Sequence, residues 1–187
     1  MIQTTLPKGL SVEKKQLSLP EDQPFYEKII ALRQFAWAYH QEHLVQDKPK
    51  TAWYDQYDRN AYFTGIMQQQ ELIGIARMTL HDTIIGIPGG PIYHSHGDEF
   101  PTPIAYFCKL CIHPAFRGQK LGQFILEQQM AWAKQLGANS IALDCTEERV
   151  PFHERMGFKK VGEPDPSRTF PTISCQPLVY RFDESTF

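Results

Sequence analysis

Apolar residues recur at helical spacing from Pro24 to about Gln46, where Phe25, Ile29, Leu32, Phe35 and Ala36 predict a helix with one buried face. From Asn60 to Leu80 the pattern shortens to two strands, Ala61 to Gln68 and Glu71 to Leu80, and the polar Gln68-Gln69-Gln70 between them predicts a hairpin. Ile104 to Ile112 reads as an apolar strand, Gly118 to Leu136 as a helix closed by Gly137, and Ser140 to Cys145 as another strand. Strand, crossover helix and strand imply a parallel pair. A short helix from about Val150 to Met156 stops at Gly157, and strands near Phe158 to Val161 and Pro177 to Phe182 complete the set. The expected fold class is therefore α/β (α+β mixed sheet), a mixed sheet flanked by helices in a single domain over residues 1–187.

One stretch resists both periodicities. Residues 86–103 contain four Gly and four Pro, which excludes continuous helix or strand. Loops of this length in compact domains are often functional, and Tyr93, His94, His96 and Phe100 suit a cover over a reacting group; a surface excursion with solvated histidines is the plainer alternative.

The bulk properties narrow the classes of function. At 187 residues with 42% hydrophobic and 21% charged positions, the chain is an ordinary globular protein. Its 19 basic and 21 acidic residues give a formal charge of -2 with no basic run, so no nucleic-acid partner is expected. No apolar run approaches the length of a membrane span and no leader is visible at the N-terminus, which predicts a cytoplasmic protein without membrane association. Cys108, Cys111, Cys145 and Cys175 read as thiols, three of them in apolar strand segments. The Cys108-x-x-Cys111 pair lacks a second pair at zinc-site spacing, so no metal is expected.

The chemistry concentrates where the strand ending at Ile112 breaks at Pro114 and a helix follows. Helix N-termini leave several amides without internal partners, and small residues let a phosphate approach them. Gly118 and Gly122 supply the small residues, although glycines also serve tight turns. The segment Leu110-x-Ile112-x-Pro114-x-x-Arg117-Gly118, with Arg117 and Gly122 in the pattern Arg or Gln, two residues, Gly, one residue, Gly or Ala, resembles the central motif of the GNAT superfamily (GCN5-related N-acetyltransferases). A second signature of that superfamily is matched by residues 152–158, Phe-His-Glu-Arg-Met-Gly-Phe.

The resemblance implies a splayed mixed sheet and an N-acetyltransferase in which a primary amine of a small molecule or peptide attacks acetyl-CoA directly. It implies that Leu110, Cys111 and Ile112 hold the pantetheine arm like an added strand. Amides of Arg117, Gly118, Gln119, Lys120, Leu121 and Gly122 would take the pyrophosphate, without a metal. Thr146 falls near an Asn that contacts pantetheine in relatives, or is a plain helix cap. His153 stands where many relatives carry a Tyr thought to protonate the departing thiolate, and either donates a proton itself or packs against the cosubstrate. Lys120 replaces a usual Gly, which predicts either ordinary helix backbone or an ammonium contact to phosphate. For the general base, Asp144, Glu147, Asp55 and Asp58 are candidates.

A fainter likeness links Arg33, Asp55, Asp58 and Arg77 to acyl-homoserine-lactone and N-acyl amino acid synthases, which use longer acyl donors; such charges also tie a helix to a sheet. A longer-chain N-acyltransferase and a non-catalytic acyl-CoA sensor are the alternative functions. A homodimer is compatible with all three.

Overall fold

The computed structural model describes residues 4–45, 53–88, 90–166 and 172–182. Strands β1 (Leu10–Gln16), β2 (Tyr62–Gln68), β3 (Glu71–His81), β4 (Ile104–Ile112), β5 (Ser140–Thr146), β6 (Lys159–Lys160), β7 (Asp165–Pro166) and β8 (Ser174–Arg181) alternate with helices α1 (Gln23–Val45), α2 (Leu121–Gln135) and α3 (Val150–Arg155). The strand order is β1-β2-β3-β4-β5-β8-β6, with β7 on β8. β4 and β5 are parallel, as the crossover through α2 requires, while β5 and β8 are antiparallel. The expected mixed sheet flanked by helices is thus the fold.

The chain packs as two compact units, Met1–Thr79 with Lys109–Ala131, and Leu80–Cys108 with Trp132–Phe187. β4 contributes to both, and the division falls at Lys109, a non-glycine residue with φ 56°.

In the first unit, α1 buries Tyr26, Ile29, Ile30, Arg33 and Ala36 at spacings of three and four. Phe35, expected on this face, is instead 50% exposed and stacked on His113 at 4.9 Å. The hairpin of β2 and β3 turns through Gln69 at φ 55°. Ile66, Ile73 and Ala76 of the hairpin pack against Leu121, Phe124 and Ile125 of α2. β1 was not legible in the pattern: it pairs antiparallel with β2 along an edge where most of its residues stay partly or fully exposed. An edge strand needs no apolar alternation strong enough to read.

In the second unit, Ile87, Tyr93, Phe100, Ile104, Tyr106, Ala142, Val161 and Val179 form one core cluster. Three of these come from the Gly- and Pro-rich stretch, which is wound into 3-10 turns over Ile84–Gly86 and Gly90–Glu99. The stretch is therefore packed structure and not a surface excursion. Asn139 donates to the Thr102 carbonyl, and Ser140 Oγ to that of Pro101 at 2.7 Å, fastening its end to the start of β5.

Candidate active site

The strand-to-helix junction lies wholly in the first unit. After β4 ends at Ile112, His113 caps a 3-10 turn over Pro114–Phe116, its Nδ1 accepting from the Ala115 amide at 3.2 Å. The Arg117 amide donates to the Pro114 carbonyl at 3.2 Å. Its guanidinium donates from Nε to the Ile112 carbonyl at 3.2 Å and from Nη2 to the Ala36 carbonyl at 3.3 Å, over the Tyr39 ring. Arg117 therefore braces the turn from inside, and its own amide is engaged within the turn.

The helix begins at Leu121 and not at Gly118. Gly118 and Lys120 both adopt left-handed backbone, with φ 78° and 59°. The reading of Lys120 as ordinary helix is thus overturned: a side chain sits where glycine is the unstrained choice. The first helical bond runs from the Phe124 amide to the Lys120 carbonyl at 3.0 Å, so the amides of Leu121, Gly122 and Gln123 have no acceptor within the helix.

Gly122 tests whether the junction fits a pyrophosphate. A Cβ built there would meet only Leu110 Cδ2 at 3.7 Å, an ordinary contact, and its backbone is helical. Neither packing nor conformation calls for glycine, and alanine would suit the helix by about 1 kcal/mol more. The missing side chain leaves open the approach to the first amides of α2. A phosphate fits that opening. Just before the turn, Leu110 is 38% exposed while Cys111 is buried. The β4–β5 ladder ends at Phe107 paired with Leu143, short of Leu110.

Four charges expected as a possible site form one buried network in the same unit. Asp58 is fully buried and takes Arg33 Nη1 at 2.6 Å and Nη2 at 3.0 Å, Arg77 Nη1 at 2.9 Å and Tyr26 Oη at 2.8 Å. Burial alone would raise its pKa, but the Arg33 and Arg77 charges outweigh burial and hold it low. Asp55 likewise pays for burial and is held well below the usual carboxylate range by Arg77 at 2.8 Å and Lys109 at 2.9 Å. Carboxylates so committed to cations make poor proton acceptors, and the network ties α1 to the sheet.

The second unit presents different groups. Asp144, half-buried near the end of β5, accepts on Oδ1 from Tyr93 Oη at 2.9 Å and Tyr106 Oη at 2.8 Å. Burial, then Asp144, push the Tyr93 hydroxyl well up, so it stays a donor. Burial and the same carboxylate push the Cys145 thiol up to about 12. Thr146 occupies the cap position of a 3-10 turn over Glu147–Arg149 but makes no side-chain cap bond, and Glu147 is exposed.

His153 is 8% exposed, edge-on to Phe152 at 4.9 Å and Phe158 at 5.7 Å. Burial, aided by Arg149, lowers its pKa to about 4. The imidazole is therefore neutral at pH 7, and its buried Nδ1 has no hydrogen-bond partner among the described residues. Also among the described residues, no group of three His, Cys, Asp or Glu is placed to hold a metal ion.

Tyr106 and Lys109 escaped the sequence reading. Tyr106 looks like any core aromatic of a strand, and a left-handed lysine inside an apolar run carries no local signal.

Known proteins bear on this geometry. The profile of the family described as Acetyltransferase (GNAT) family matches residues 26–158, and the chain belongs to that family of acyltransferases. It is similar to glucosamine 6-phosphate N-acetyltransferase 1 of Dictyostelium discoideum, 36% identical over 53 residues. That match covers 28% of this chain and 34% of the relative, about a third of its length. In fold it resembles Escherichia coli ElaA, with TM-score 0.65 at 16% identity over 92% of this chain and 99% of the other. It also resembles the PaiA N-acetyltransferase of Thermoplasma acidophilum, solved with coenzyme A, with TM-score 0.57 at 18% identity over 92% and 99% of the two chains.

Proposed function

We propose that the chain transfers an acetyl group from acetyl-CoA to a primary amine of a small molecule or peptide, by direct attack within a ternary complex. The observation that carries this reading is the junction at residues 118–122, where two left-handed residues and a packing-free Gly122 open the first amides of α2 to an anion. Acetyl-CoA, used by the family, supplies the activated acyl group.

The chain's own residues then bind and orient. Amides of Gly118, Gln119, Lys120, Leu121 and Gly122 hold the pyrophosphate, and the Lys120 ammonium adds charge to the same anion. Arg117 holds the turn in shape. Leu110, Cys111 and Ile112 line the pantetheine arm along β4, and Thr146 contacts it with the hydroxyl that no cap bond uses. His153 is neutral at pH 7 and keeps one ring proton, so it serves the departing thiol as a hydrogen-bond donor or by ordering a water, not as an imidazolium acid. Orienting such groups in a site lowers the barrier without any change in the chemistry of the donor.

Calorimetry with CoA on wild type and Gly122→Glu tests the reading, alongside thiol release with acetyl-CoA and a panel of amines. Gly122→Glu should stay folded and lose nearly all CoA affinity. A folded variant with unchanged affinity moves the cosubstrate elsewhere. Release with long-chain but not acetyl donors reassigns the acyl group, and CoA binding with no release for any amine makes the chain a sensor.

A further inference from the structure

The two carboxylates that the sequence treated alike, Asp58 and Asp144, are wired oppositely. Asp58 has cations on both oxygens. Asp144 has two neutral phenols on Oδ1, and no Lys or Arg among the described residues forms an ion pair with it. Arg149, the neighbouring cation, pairs with the exposed Glu148 at 3.4 Å.

A half-buried anion without a cation has its desolvation offset only by hydrogen bonds, here the two phenols on Oδ1. The fold does not need the charge either, since an amide oxygen would accept from Tyr93 and Tyr106 equally well. The two phenols do something more specific: by occupying Oδ1 from two elements, the wound segment and β4, they fix the carboxylate plane and leave Oδ2 as the acceptor. A partly accessible carboxylate with one oriented oxygen and no ion-pair partner among the described residues is complementary to a cation with N-H donors.

We propose that Asp144 is the acceptor-binding carboxylate, taking the ammonium of a cationic primary amine on Oδ2 while Tyr93 and Tyr106 hold Oδ1. The proposal rests on the acyl-transfer reading above for what the amine is bound for. It makes Asp144 a specificity-determining residue and turns the unusual packing of the Gly- and Pro-rich stretch into a positioning device, since Tyr93 is the residue that stretch delivers.

Calorimetry with CoA present, using tyramine, spermidine and lysine ethyl ester as probes, tests it. Wild type should bind at least one amine, and Asp144→Asn should weaken that binding by about tenfold to a hundredfold, the range for a hydrogen bond to a charged group. Its affinity for CoA should change less than about twofold, well inside one tenfold step. A second measurement needs no variant: wild type should prefer tyramine over the neutral alcohol tyrosol by more than about tenfold. Unchanged amine affinity in Asp144→Asn, equal binding of tyramine and tyrosol, or no binding of any probe overturns the proposal. Amine binding without thiol release would instead sink the acyl-transfer reading and leave Asp144 as an amine site.

Discussion

Asp58 and Asp144 show two uses of a buried carboxylate in one chain. Around Asp58 every strong acceptor direction is met by Arg33, Arg77 or Tyr26, and only the buried Arg33 Nε is left without a hydrogen-bond partner among the described residues. Around Asp144 the partners are neutral and one oxygen is left over. His153, with its unmatched Nδ1, shares that incompleteness. The carboxylate of the first unit is committed to cations that hold helix to sheet, whereas that of the second keeps one oxygen for something that is not part of the fold.

The sharpest way to break the contrast is Asp58→Ala. The buried Arg33 loses its counter-charge and Arg77 keeps only Asp55, which should cost about 3–5 kcal/mol in chemical denaturation; a loss below about 1 kcal/mol would make the network a surface-like pair. The pH dependence carries the same sign. Because the folded pKa of Asp58 is depressed, its contribution is full above the unfolded value near 4 and disappears as the pH falls below it.

His153 should show the next largest effect. Its folded pKa of about 4 lies below the ordinary 6.5, so between these values the unfolded chain binds a proton that the native chain refuses. Stability is complete above about pH 6.5 and declines toward pH 4, by a sum on the order of 3 kcal/mol. Denaturation midpoints of His153→Phe against pH should be flatter through this window than wild type. In the same variant, kcat should fall while the affinity for CoA holds; a wild-type kcat would leave the histidine a packing residue.

Lys120→Gly separates strain from function. Removing the side chain from a left-handed position should raise stability by about 1 kcal/mol, while CoA affinity should fall and depend less on salt. Stability and affinity rising together would deny the ammonium a phosphate. The smallest effect is expected for Tyr93→Phe: about 1 kcal/mol of stability in thermal melts, with the KM of the amine rising more than that of acetyl-CoA.

What could be read from sequence was what repeats locally. The face of α1 apart from Phe35, the hairpin with its polar turn, the bounds of β4, and the stop of α3 at Gly157 follow from periodicity, turn composition or a glycine in left-handed backbone. The edge strand β1 lacks such a signal, and the 3-10 winding of residues 84–99 is set by burying Tyr93 and Phe100 beneath residues distant in sequence. In the site, the strand-to-helix turn was legible as a motif, but the left-handed backbone of Lys120 was not, because lysine is a good helix former. The wiring of Asp144 depends on partners 38 and 51 residues away, and no local pattern encodes a contact of that range.

The four cysteines, none of them in a disulfide, bear on how the activity can be watched. Cys111 and Cys175 are buried, and the Cys145 thiol, pushed up to about 12, holds its proton at any pH at which a colorimetric thiol reagent works. Only the thiolate attacks such reagents. The polypeptide is therefore a quiet background against which each released CoA can be counted continuously, with half-buried Cys108 as the single position to replace by serine if a slow drift is seen in the absence of amine.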